Sequence, residues 1–223
     1  MTCRSRRGDG RSSVARLGID RADAELLELL DVGFAEARRR AGSWLACRSG
    51  CADCCHGPFP VTSLDVRRLR RGMEHLSSTR PDRAHAIHGR AALAVEVLAE
   101  GFPGDAASGR LTHDESRLDP FFERHASLAC PVLDPEAGTC DLHAWRPVSC
   151  RTYGPPLRFG EKLSPPCGLC FRGATQATVE RCRIEPDRDG AEAAILAHMG
   201  AAADEHWETL IAHALVDDQT PRP

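Results

Sequence analysis

Eleven of the 223 residues are cysteine, and four of them crowd into one short stretch, Cys47-Arg-Ser-Gly-Cys51-Ala-Asp-Cys54-Cys55. Cys130, Cys140 and Cys150 follow at wider spacing, and then Cys167-Gly-Leu-Cys170. A chain so rich in thiols either builds a disulfide scaffold outside the cell or uses reduced thiolates for metal or redox chemistry inside it. A secreted scaffold needs an export signal. The arginine-rich opening Met1-Thr2-Cys3-Arg4-Ser5-Arg6-Arg7 leads into no apolar segment. An odd count also leaves at least one cysteine outside any intramolecular pairing. The expected address is the cytoplasm, and the expected use of the cysteines is metal binding.

Spacing sharpens that expectation. Cys51 and Cys54 stand at the C-x-x-C interval that lets two thiolates chelate one ion from a single turn. The neighbours Cys54 and Cys55 diverge and are hard to place on one mononuclear ion, which favours two nearby ions or a multi-iron cluster. If the segment is helical, positions 47, 51, 54 and 55 share one face. Such a stripe would also suit small buried hydrophobes, but thiolate-ligand spacing favours metal. A hairpin carrying Cys130 and Cys140, followed by a turn carrying Cys150, can bring three more thiols together. Cys3 in the tail and Cys182 in a charged context fall outside the expected ligand set.

A net charge of −3 gives no general attraction to nucleic acid or anionic membrane, and no apolar run is long enough to span a bilayer. Residues 1–16 read as a disordered tail, 17–216 as one domain and 217–223 as a second tail. Within the domain, Asp20 opens a long helix with an apolar stripe of Leu26, Leu30, Phe34 and Ala37, running into the first cysteines and stopping by Gly57-Pro58. Thr62 with Asp65 forms a capping box for a helix to about His75. Pro81 to Glu100 is a third helix, 102–118 a loop, and Asp119-Pro120 the start of a short helix. Two short strands lie around residues 130–143, a helical turn spans Trp145 to Thr152, and 153–173 is irregular. A final amphipathic helix runs from about Asp189 to Val216. The fold class is mainly α: a helical single domain with a cysteine-rich, loop-rich metal-binding centre and a short β-hairpin.

The ordered blocks carry a resemblance. Cys47-x3-Cys51-x2-Cys54-Cys55 precedes Pro60-Val-Thr62 and a helix. Cys130-Pro-Val-Leu and Gly138-Thr-Cys140 come next, then Arg146-Pro147-x2-Cys150-Arg151-Thr-Tyr-Gly154. Over roughly residues 45–173 this pattern resembles the YkgJ-type cysteine-cluster family, a zinc- or iron-chelating domain. With the spacing, the resemblance implies the metal ligands Cys47, Cys51, Cys54, Cys55, Cys130, Cys140, Cys150 and Cys167, and as cofactor an iron–sulfur cluster or Zn²⁺. Eight thiolates suit two four-ligand sites or one larger cluster. Cys170 stands where the family pattern has Asn, and His143 where members tend to carry an aromatic residue.

Arg146 and Arg151 flank Cys150 and can offset thiolate charge, or pair with Asp134, Asp141 or Glu136. His56 directly follows Cys55. The chain shows no phosphate-binding glycine loop, dinucleotide fingerprint or nucleophile elbow. The leading expectation is a metal-binding protein whose partner is a metal ion or cluster, with room for a protein partner and none expected for membrane or nucleic acid. The alternatives are a modifying enzyme resembling the flagellin lysine N-methylase group, which carries a similar cysteine signature, and a thiol redox protein.

Overall fold

The computed structural model describes residues 18–187, 189–200 and 207–216. Both expected tails, and Cys3 with them, lie outside the described residues. The chain divides into two compact units, one of Met1–Cys47 with Arg151–His206 and the other of Arg48–Cys150 with Trp207–Pro223. Regular structure among the described residues is mainly α-helical, and every strand pairing is a two-stranded antiparallel one. This is the mainly α class read from the sequence, with hairpins at the cysteine-rich centre.

The first unit opens with α1 (Ile19–Ala41), which buries Leu26, Leu30 and Ala37. Arg38, Arg39 and Arg40 lie in its last turn, where the helix dipole favours cations. Gly42 ends it at φ 53, a conformation that glycine adopts without a Cβ clash. The helix therefore stops before the cysteines. Cys47 lies in irregular chain, Gly50 turns at φ 82, and a single 3₁₀ turn covers Asp53–Cys55. The shared helical face expected for Cys47, Cys51, Cys54 and Cys55 does not form, because the helix ends at Gly42, ahead of Cys47, and Gly50 turns the chain within the stretch.

The second unit takes over at Arg48 and, after the 3₁₀ turn, forms β1 (Pro60–Thr62) and α2 (Ser63–Thr79). The capping box is present: Asp65 N–H donates to Thr62 Oγ1, and Thr62 N–H donates back to Asp65 Oδ2. Pro81 occupies the first turn of α3 (Pro81–Leu98), where its missing N–H costs nothing. Ile87, Ala91, Val95 and Leu98 face inward as expected. The segment expected as a loop contains a small hairpin, β2 (Gly104–Asp105) with β3 (Arg110–Leu111). Its turn is made by Asp105, whose carboxylate accepts from the N–H groups of Ala107 and Ser108. Then come α4 (Glu115–Arg124), the pair β4 (Leu133–Asp134) and β5 (Thr139–Cys140), and α5 (Val148–Thr152).

Back in the first unit, β6 (Leu157–Phe159) and β7 (Lys162–Ser164) form a hairpin in the stretch expected to be irregular. After it come α6 (Gln176–Arg181) and α7 (Ala191–Gly200). The single helix expected over Asp189–Val216 is not formed. The second unit instead takes up β8 (Glu208–Leu210), paired with β1 in the register Pro60↔Leu210, and the short α8 (Ile211–Leu215). Strand pairing overrides the helical periodicity here, and the buried Thr209 hydroxyl donates to Gly109 O. Residues Leu210, Ile211 and Leu215 still reach the core, beside Val61, Leu69, Met73, Ile87 and Leu98.

Two contacts of α2 position the centre. Gly72 lies against Trp145, so close that a Cβ would fall 2.8 Å from the indole. Asp65 and Arg68, each 2% exposed, form a 2.6 Å ion pair, and Asp65 also accepts the Val148 N–H at 3.1 Å. Removing one partner of a buried pair strands the other's charge. Asp65→Ala is therefore expected to destabilise the protein by about 3–5 kcal/mol, against about 1 kcal/mol for Thr62→Ala, which loses only a cap. Urea unfolding followed by circular dichroism checks both values, and equal midpoints for the two variants would refute this role of Asp65.

Candidate metal centre

In the second unit four separate segments carry thiols to one neighbourhood. Residues 55–57 run antiparallel to 128–130: Cys130 N–H donates to Cys55 O at 2.8 Å, and Gly57 N–H donates to Leu128 O at 2.9 Å. The β4–β5 hairpin starts at once, with Leu133 N–H donating to Cys130 O and Leu133 paired with Cys140. Its turn is set by Asp134, whose side chain accepts from Glu136 and Ala137 N–H, and by Gly138 at φ 63. The hairpin is tied to α3 by Arg83, which binds Asp134 and Asp141, and by Arg90, which donates to Pro131 O at 2.8 Å. Cys150 arrives on α5, whose first N–H is held by Asp65. Arg146 reaches back to Cys150 O at 3.5 Å.

The thiols shift one another's protonation. Cys55 donates a hydrogen bond to the Cys54 sulfur, and with help from the Arg146 guanidinium this lowers Cys54 to about 6 despite its partial burial. The same bond, then burial and the neighbours Cys54, Cys130 and Cys140, holds the Cys55 proton far above the ordinary thiol range. Burial pushes Cys130 up to about 12, with Cys140 and Cys54 adding to it. Cys140 is raised by burial, with Arg146 opposing. Cys150 is raised strongly by burial and by Cys130, Cys54 and Cys140, again against Arg146. Five thiols thus feel one another, and three of them, Cys54, Cys140 and Cys150, also feel one arginine.

That arginine is Arg146. Arg151 belongs to the first unit, where its Nη1 binds both oxygens of Asp31 at 2.9 and 3.0 Å. No sequence signal separated these two arginines, because Asp31 lies 120 residues away. Cys51 sits in the turn that precedes the 3₁₀ segment, with its N–H on Arg48 O. The His56 ring engages Ala52 O through Nδ1 at 3.0 Å, and His143 lies in a 3₁₀ turn.

Cys47 and Cys167 lie in the first unit and meet at Gly154. Cys47 Sγ sits 2.7 Å from where a Gly154 Cβ would stand, and Cys167 N–H donates to Gly154 O at 3.0 Å. Among the described residues no three His, Cys, Asp or Glu side chains are arranged, as they stand, to hold a metal ion. The thiols are gathered without being turned to one point, and a cysteine turns by a single torsion, χ1. An all-sulfur donor set of this kind suits Zn²⁺ or iron–sulfur chemistry. An ion would replace the protons that burial holds on these sulfurs.

Residues 46–170 match the family model CxxCxxCC, described as "Putative zinc- or iron-chelating domain". The match covers more than half of the chain, and the protein belongs to this family. No curated protein and no solved structure matches it.

In metal-stripped, reduced protein, Cys54 is expected to alkylate fastest of the second unit's cysteines at pH 7, and to slow as the pH falls through about 6. Mass-spectrometric mapping of alkylation against pH reads this directly. Equal rates at Cys54 and Cys130 would contradict the thiol arrangement.

Proposed function

We propose that the protein binds metal through cysteine thiolates, with Cys51, Cys54, Cys55, Cys130, Cys140 and Cys150 as ligands in the second unit and Cys47 and Cys167 as ligands in the first. The observation that carries this reading is the gathering of Cys54–Cys55, Cys130, Cys140 and Cys150 from four chain segments, each held in place by hydrogen bonds or ion pairs to its surroundings. A hydrophobic core has no need to draw five thiols together beside an arginine. The adjacent Cys54 and Cys55 favour a multinuclear centre, an iron–sulfur cluster or paired zinc ions. Arg146 offsets part of the negative charge that bound thiolates carry. Reduced thiolates of this kind fit a cytoplasmic protein. Among the described residues no helix is long and apolar enough to cross a membrane.

One observation favours a second reading. The Cys54–Cys55 contact and the lowered Cys54 resemble an activated thiol poised for exchange.

Protein purified without oxygen separates the two. Metal binding predicts bound zinc or iron, coloured brown if it is an iron–sulfur cluster, and loss of metal in Cys54→Ser, Cys130→Ser, Cys140→Ser and Cys150→Ser. Removal of metal by a strong chelator under reducing conditions is expected to lower the melting temperature of the loop-rich centre sharply. Protein without metal in which the C-x-x-C pair Cys51 and Cys54 cycles reversibly between dithiol and disulfide would instead favour the redox reading.

A further inference from the structure

We infer that the first unit builds a metal site of its own from Cys47, Cys167, Cys170 and Cys182, suited to one thiophilic divalent ion such as Zn²⁺. This rests on the thiolate reading above and adds two ligands, Cys170 and Cys182, the second of which lies beyond the family match. The four cysteines share one cluster with Ala41, Leu45 and Phe171, and Cys170 and Cys182 are only 5% and 2% exposed. They come from three places: the chain just after α1, the 167–170 loop and the end of α6. Four thiolates from these three places would, once turned about χ1 to a common point, complete the closed tetrahedral set typical of structural zinc.

The loop itself has features that packing does not require. Cys170 N–H donates to Cys167 O at 2.8 Å, closing the C-x-x-C turn, and Leu169 N–H donates to Cys167 Sγ at 3.4 Å. A backbone N–H aimed at sulfur offsets the charge of a ligating thiolate. Phe171, directly after Cys170, has φ 56 and is the only non-glycine residue with positive φ among those described. Such a conformation is strained in a bulky residue and persists where the surroundings impose it. Here the Phe171 N–H donates to Trp44 O at 2.7 Å, pinning the loop to the segment that carries Cys47. Gly154 completes the join, taking Cys47 Sγ against its Cα and the Cys167 N–H on its carbonyl. At the third segment Arg40 of α1 donates to Arg181 O, which fixes the end of α6 beside Cys182.

The test is the metal-to-chain ratio of intact protein by native mass spectrometry, for the parent, Cys170→Ala, Cys182→Ala and Cys54→Ser. Alanine is chosen because a cysteine that only fills space leaves metal content untouched when replaced by a smaller apolar residue. Cys170→Ala and Cys182→Ala are each expected to lose about one ion per chain, the content of a single tetrathiolate site, and to keep the metal that Cys54→Ser loses. Should either alanine variant fold poorly, alkylation of the parent before and after chelation reads the same site, and Cys170 and Cys182 should become reactive only once metal is removed. If Cys182→Ala keeps the full ratio, or Cys182 reactivity does not respond to verified metal loss, the inference is overturned. In that case metal loss in Cys54→Ser would leave the proposed function standing. Metal loss in Cys182→Ala with none in Cys54→Ser would support this site and count against the second unit's ligands. A parent protein with no metal overturns both.

Discussion

The carboxylate of Asp65 is the contact on which the second unit's thiol centre depends. It caps α2, neutralises a buried arginine one turn later and receives the first N–H of α5, the helix that presents Cys150. One side chain thus couples the helical core to the cysteine-rich segment. Arg83 and Arg90 do the same for the β4–β5 hairpin, anchoring Asp134, Asp141 and Pro131 O to α3. The thiol-bearing segments contain little regular structure; polar anchors on two regular helices hold Cys150 and the β4–β5 hairpin, and backbone pairing with residues 128–130 holds Cys55.

This arrangement explains why the thiols are costly to ionise and suited to metal. Burial and mutual proximity raise Cys55, Cys130, Cys140 and Cys150, while Arg146 opposes that for Cys150 and Cys140 and assists at Cys54. A cation placed among them relieves both penalties, since it balances the charge and replaces the protons. One arginine cannot balance five thiolates. Four of the five sulfurs thus hold their protons at neutral pH, and only Cys54 is shifted the other way.

Much of this was legible in the sequence where the signal was local. The Thr62–Asp65 capping box, Pro81 at the head of α3 and the turn between β4 and β5 all follow from residues within a few positions of one another. The family and its cysteine blocks were legible for the same reason, as fixed short spacings. What failed was non-local or hinged on a single glycine. The apolar repeat of residues 189–216 reads as one helix, yet Glu208–Leu210 pairs with Pro60–Thr62, far away in sequence. The cysteines at 47–55 have helical spacing, but Gly42 and Gly50 turn the chain away from a helix. Arg151 and Arg146 look equivalent in sequence, and only Asp31 in the folded first unit distinguishes them.

The central claim is that sulfur alone holds the metal. X-ray absorption at the edge of the bound metal, on protein purified without oxygen, tests it most directly. The account predicts a first shell of sulfur only, at about 2.3 Å for zinc. A first shell dominated by nitrogen or oxygen would contradict it.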